Sequence, residues 1–183
     1  MSGALAQPVP VAASLARRML PLSLGHGAVD MAQGAVPALL PYLVDRFHLS
    51  YVQAGAVILA TTAASSVIQP LFGSIADRVE APWVLPASVV AAGAGVGLIG
   101  VAPSYWTVMA CVLLSGIAIA VYHPEGARVA RAIAHDRPSS GMSIFSVGGN
   151  VGVAAGPALV GLLVAGLVLL GSLLLAVPGV VVA

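Results

Sequence analysis

From residue 142 to residue 183 the chain runs for 42 residues without one charged side chain. As a single straight helix that run would measure about 63 Å at ~1.5 Å per residue, twice the ~30 Å hydrocarbon thickness of a bilayer. It must fold back on itself, and Gly166 to Gly171 is the place where the composition allows a turn. Such a run has no place in a water-soluble fold, and composition extends the point to the whole chain. Hydrophobic residues make up 60% of the sequence and charged residues 7%, where a soluble domain needs roughly a quarter charged to cover its surface. The expected fold class is an all-α integral membrane protein.

About 20 apolar residues cross the hydrocarbon core, and about six stretches of that kind are present. Their expected positions are about 19–44, 51–75, 83–102, 105–127, 142–165 and 167–183. Asp45-Arg46-Phe47-His48 closes the first, Gly73 to Arg78 the second, and Ala102-Pro103-Ser104 the third. Tyr105 and Trp106 open the fourth as interfacial aromatics. A polar loop ending near Gly141 precedes the fifth. Residues 1–18 are a mixed tail of small residues, expected to be disordered. Arg17-Arg18 before an apolar run imitates a signal peptide, but the run carries His26 and Asp30 and outlasts a 7–15-residue apolar region. It is read as the first membrane helix. The 21 glycines suit this class, because small residues let membrane helices approach closely.

The chain has no lysine, and its arginines are unevenly placed. Arg17, Arg18, Arg78, Arg128, Arg131 and Arg137 fall on one side of the six-span arrangement and Arg46 alone on the other. The positive-inside rule then puts both termini in the cytoplasm. Scattered arginines make no basic patch, so nucleic acid is not an expected partner. The single Cys111 excludes an internal disulfide and a cysteine-rich zinc site, and reads as a small buried hydrophobe.

An ionisable side chain inside a membrane span is costly and is a functional candidate by default. His26, Asp30, Gln33 and Pro37 stand at i, i+4, i+7 and i+11, one stripe along a helix. Counted from Arg18, His26 lies about 12 Å and Asp30 about 18 Å deep, the latter near the bilayer midplane. A carboxylate there is a candidate for taking up and releasing a proton, with the histidine sharing it. The plainer alternative is a hydrogen bond tying the first span to a neighbour. Counting from Tyr105 brings Glu125 to the cytoplasmic edge, where it pairs with Arg128 or Arg78 in a gate or contributes to a binding site beside His123. Pro124 between them is expected to break the helix locally. His-x-Glu echoes half of a zinc deaminase signature without its Pro-Cys-x-x-Cys half, so no metal site is assigned. Asn150 is placed about 12 Å deep in the fifth span. Gly148, Gly152 and Gly156, followed by Pro157, recur every four residues as a flat face for helix packing. Gln53 and Gln69 lie toward span ends and read as capping or solvated residues.

Together these residues resemble the amino-terminal half of a major facilitator superfamily transporter. GSIADR, residues 73–78, is similar to the superfamily's signature between spans two and three, and the glycine series ending in Gly156-Pro157, with Gly161, is similar to the span-five signature of its drug–proton antiporters. Within the superfamily, GHGAVDMAQGAVPALLP (25–41), FHLSYVQAG (47–55), SSVIQPLFGSIADR (65–78), APSYW (102–106), HPEGARVAR (123–131) and FSVGGNVG (145–152) resemble the fosmidomycin resistance protein family. The resemblance implies six spans built as two three-helix inverted repeats, and a bacterial inner-membrane exporter of a small molecule or drug. It further implies alternating access driven by proton antiport, with the proton gradient in place of any cofactor. Gly73, Asp77 and Arg78 would act as a gating motif with Arg128. The implied partners are the bilayer, a small-molecule substrate and a second six-helix half, either a carboxy-terminal part or a second copy. One departure matters. Many superfamily exporters carry an arginine in span four where this chain has Val112, which moves the expected proton coupling to Asp30 and His26. The competing readings are a truncated, non-transporting membrane protein and an intramembrane enzyme, and no converging nucleophile favours the latter.

Overall fold

The computed structural model describes residues 11–78 and 81–183, with side chains for all of these except 11–13, 165, 166 and 168. Among the described residues it is all-helical. The first helix, α1, spans Val11–Phe47 and contains Pro21, Pro37 and Pro41. Part of the expected disordered tail is therefore helical: residues 11–18 belong to α1, while 1–10 lie outside the described residues. The segment that follows Pro10 is rich in Ala, Leu and Arg, which favour helix and lose little on being ordered.

Helix α2, Tyr51–Thr62, starts with a reciprocal cap. The Ser50 Oγ accepts from the Gln53 amide at 3.3 Å and the Gln53 side chain accepts from the Ser50 amide at 2.9 Å, satisfying two donors that the helix end leaves without partners. A π turn, Ala63–Val67, leads into α3, Gln69–Ala76. Helix α4, Val84–Leu98, tightens into a 3₁₀ turn over Ile99–Val101. The Ser104 hydroxyl caps α5, Tyr105–Ala134, which continues through Pro124 without a break. The connection to α6, Pro138–Leu167, is three residues long rather than a loop reaching Gly141.

By length and composition, four segments suffice to cross a membrane: Tyr51–Ala76, Val84–Val101, Tyr105–Ala134 and Pro138–Val164. Helix α1 has ample length at 37 residues, but His26, Asp30 and Gln33 dilute its apolar character. The expected sixth span is not a regular helix. It is a 3₁₀ segment, Val168–Ala176, followed by the six-residue α7, Val177–Val182. At ~2.0 Å per 3₁₀ residue and ~1.5 Å per α residue these cover about 27 Å, so the stretched geometry lets a short segment approach bilayer thickness. Ser172, fully buried, ties this segment to α4 by accepting from the Gly100 amide at 2.9 Å and donating to the Gly97 carbonyl at 2.8 Å.

Successive segments run up and down. Arg18, Leu85, Ile133 and Ala183 surround one cavity at one end. At the other end Arg46 Nη1 donates to the Gly100 carbonyl at 2.6 Å. Buried Val29, Val36, Leu39, Val96, Ile99 and Ile119 form the apolar centre. The α1–α6 contact has no room for side chains. A Cβ at Gly148, Gly152 or Gly156 would fall on the α1 backbone at Ser23, Gly27 or Met31 respectively. Both rows step by four residues, so i±4 ridges match i±4 grooves and the two backbones touch.

Candidate functional site

The backbone contact between α1 and α6 brings a polar group into the interior. His26 and Asp30 stand one turn apart on the buried face of α1, their side chains 9% and 12% exposed. His26 Nε2 lies 3.1 Å from Asp30 Oδ2. His123 of α5 completes the group, with its Nε2 3.0 Å from Asp30 Oδ1. The carboxylate is thus held between two imidazoles from two helices. His123 was a candidate for the same kind of site, though only two residues from the Glu125 that was placed at the cytoplasmic edge. Measured from the shared end of the bundle, Asp30 is about 26 Å along α1 from Phe47 and His123 about 27 Å along α5 from Tyr105. Helix α5 also runs eleven residues beyond His123, so His123 is interior rather than terminal.

Hydrogen-bond accounting fixes protons in this group. His26 Nδ1 lies 2.8 Å from the Phe145 carbonyl of α6, and a carbonyl only accepts, so Nδ1 carries a hydrogen. The same ring's Nε2 faces Asp30 Oδ2, and two lone pairs do not sit 3.1 Å apart with nothing between them. One further proton occupies that contact, as imidazolium with carboxylate or as imidazole with carboxylic acid. Phe145 also stacks its ring on His26, with centroids 4.0 Å apart and planes at 17°, a placement that suits a cationic imidazole. Tyr122 of α5 lies beyond, its hydroxyl donating to the Leu22 carbonyl at 2.8 Å. Gly149 closes the remaining side: a Cβ there would be 2.5 Å from Asp30 Oδ2.

Gln69, at the start of α3, was expected to cap or be solvated. Its Nε2 instead donates to the Ser65 carbonyl at 2.5 Å and lies 3.3 Å from His123 Nδ1. Tyr122, Phe145 and Gly149 are thus site residues that the sequence did not single out, and Gln69 one that it read for another role. Gly149 and Phe145 fall outside the four-residue glycine period, and Gln69 follows a π turn that no residue pattern announces.

Other expected site residues lie elsewhere. Gln33 is half-buried on α1 beyond Asp30. Asn150 is exposed on α6; since Gly148, Gly149, Gly152 and Gly156 face α1, position 150 turns away from it. Glu125 is 4% exposed and binds Arg128 with two bonds, Nε to Oε2 at 2.9 Å and Nη2 to Oε1 at 2.6 Å. It does not join His123, because residues two apart on a helix face differently. Of the gating set, Gly73 rests against Pro124 of α5, while Asp77 and Arg78 are exposed at the end of α3. Glu125 and Arg128 latch to each other, on the wall of an apolar cavity of about 480 Å³ between α3, α4 and α5 in the case of Glu125.

One ring nitrogen from each histidine and one Asp30 oxygen lie within 4.8 Å of one another, close enough to surround a metal ion. The hydrogen bonds argue otherwise for His123. With Gln69 donating to its Nδ1, its hydrogen sits on Nε2, and a protonated nitrogen has no lone pair for a metal. The arrangement suits holding and handing over a proton.

Residues 22–183 match the family model described as Major Facilitator Superfamily. The chain is 37% identical over 144 residues to a protein named fosmidomycin resistance protein from Escherichia coli (strain K12), covering 79% of this chain and 36% of that one. It is 34% identical over 142 residues to an uncharacterized MFS-type transporter, YfnC, of Bacillus subtilis (strain 168), covering 78% and 35%. The chain thus spans about a third of the length of these relatives. The match of the family model over nearly all of this helical bundle places the chain in the major facilitator superfamily.

Proposed function

We propose that this chain is the proton-coupling half of a secondary transporter that exports a small, drug-like molecule in exchange for protons. The observation that carries the reading is the buried contact of His26 Nε2 with Asp30 Oδ2 at 3.1 Å, beside the Nδ1 contact with the Phe145 carbonyl, an arrangement that calls for a proton between the two side chains. When it leaves, the His26 Nε2 lone pair faces a carboxylate, and the contact no longer holds. With a single ring hydrogen His26 can serve Asp30 of its own helix or the Phe145 carbonyl of α6 but not both, so gain and loss of one proton change how α1 is held against α6, the kind of bias that alternating access needs. Buried charge that is neutralised on protonation is also what a membrane interior favours. Export of a drug is our reading of the word resistance in the printed name of the Escherichia coli relative. A second six-helix half, supplied by a further segment or a second copy, would complete the path, with the bacterial inner membrane as its location and both termini in the cytoplasm. Asp77 and Arg78, exposed at the end of α3, would serve as the gate against that half. We read the chain as a transporter rather than an enzyme because the family model that it matches and a relative named as a transporter support that class.

Asp30→Asn keeps the shape and removes the proton site. It is expected to abolish proton-coupled drug export from cells while membrane insertion stays intact. Undiminished export by that variant would overturn the assignment, and turnover of a soluble substrate without a gradient would contradict the class.

A further inference from the structure

We propose that Gln69 is the positioning residue that locks His123 in a single tautomer, so that its only ring hydrogen is given to Asp30. The proposal deepens the proton-site reading and rests on it for its consequence in transport, though not for its test.

The Ser65 carbonyl accepts only, so the Gln69 group 2.5 Å from it is the NH₂ and not the oxygen. That same NH₂ lies 3.3 Å from His123 Nδ1. A donor facing a ring nitrogen requires a lone pair there, so the His123 hydrogen is on Nε2. Nε2 is the atom 3.0 Å from Asp30 Oδ1. Gln69 at one end of the ring and Asp30 at the other thus hold the same tautomer, lone pair on Nδ1 and hydrogen on Nε2. Without Gln69 only the Asp30 contact keeps the hydrogen on Nε2, and a ring that swings off the carboxylate is free to carry it on Nδ1.

The backbone is arranged to deliver this amide. Thr61 and Ala64 pack against Gly116 of α5, and His123 lies seven residues further along α5 on the same face. In a regular helix Gln69 would be about 80° round from Thr61. The π turn at Ala63–Val67 adds about one residue to the turn, returning Gln69 to within about 20° of the Thr61 direction, toward His123. Around His123 the titratable groups are Asp30 and His26 of α1 and Tyr122 of α5; α6 contributes the Phe145 carbonyl to His26, and α3 this amide. Among the described residues no other charged side chain is paired with Asp30.

The test is the ¹⁵N spectrum of ring-labelled histidine in the chain reconstituted in nanodiscs, with the His123 signals assigned through His123→Asn. The expected wild-type pattern is an unprotonated Nδ1 and a protonated Nε2. Gln69→Leu is expected to shift His123 toward a mixture of tautomers, and Gln69→Glu, which offers an acceptor, to protonate both nitrogens. A wild-type His123 with hydrogen on Nδ1 overturns the proposal without recourse to any variant, and so does a folded Gln69→Leu with an unchanged His123. Export that ignores Asp30→Asn, beside a tautomer that follows Gln69, would defeat the transport reading and leave this one standing.

Discussion

A methyl group at Gly149 would lie 2.5 Å from Asp30 Oδ2 and 2.5 Å from His26 Cε1, far inside van der Waals contact. Neither neighbour is free to yield. His26 is pinned on its far side by the Phe145 carbonyl and ring, and Asp30 by His123. Gly149→Ala is therefore expected to prise the His26–Asp30 contact apart, at about 1–3 kcal/mol for the forced fit. Export should fall at least as far as in Asp30→Asn, and the ¹⁵N spectrum should show His26 losing its shared proton. A Gly149→Ala variant with normal export and an unaltered His26 spectrum would mean that the pair does not work as a unit. The chemistry here was half legible from the sequence. His26 and Asp30 announce themselves by i, i+4 spacing inside an apolar helix, because charge in a membrane is rare. Gly149 gives no such signal, being one glycine among 21 and out of step with the packing series beside it.

The same glycine-rich helix supplies a comparison between elements. A Cβ at Gly152 would fall on the Gly27 carbonyl of α1, whereas one at Gly161 meets nothing within 4 Å. The four-residue period ends at Gly156, and the close approach ends with it, at the Gly156–Met31 crossing, before Gly161. Gly152→Ala is expected to destabilise the bundle by about 1–3 kcal/mol through overpacking. Gly161→Ala is expected to be neutral or stabilising by about 0.5–1 kcal/mol, since it relieves the flexibility of a mid-helix glycine. Thermal unfolding of the two variants in detergent separates them, and equal losses would mean that α1 and α6 do not touch as described. Helix positions were legible because apolar runs long enough to span a membrane leave little choice. Their relative depths were not. Counting Asp30 from Arg18 and Glu125 from Tyr105 used opposite ends of the bundle and hid the meeting of Asp30 with His123. The π turn hid Gln69 in the same way, because a periodicity argument assumes the regular turn that it interrupts.

At the scale of the whole molecule, the open side of α6 decides what kind of assembly this bundle belongs to. Ser146, Asn150, Ala154 and Pro157 are exposed on it, while Gly148, Gly149, Gly152 and Gly156 face α1. An asparagine turned toward lipid tails would leave its amide without partners, at a cost of several kcal/mol. A face that carries one is better suited to a water-filled cavity or to another protein surface. The proposed second half supplies both, since the substrate path of a two-half transporter runs between its halves. Cys111 is buried, so Asn150→Cys introduces an accessible thiol against a quiet background. In native membranes this thiol is expected to react with a water-soluble maleimide, and short bifunctional reagents are expected to join it to the partner half. If that half is a second copy, the product will run at twice the mass of the chain. If it is a further segment of a longer protein, the link will be internal and the mobility shift small. A thiol that reacts only with lipid-soluble reagents and forms neither link would mean that α6 faces the bilayer, and the two-half reading would then fail at the surface where it is most exposed to test.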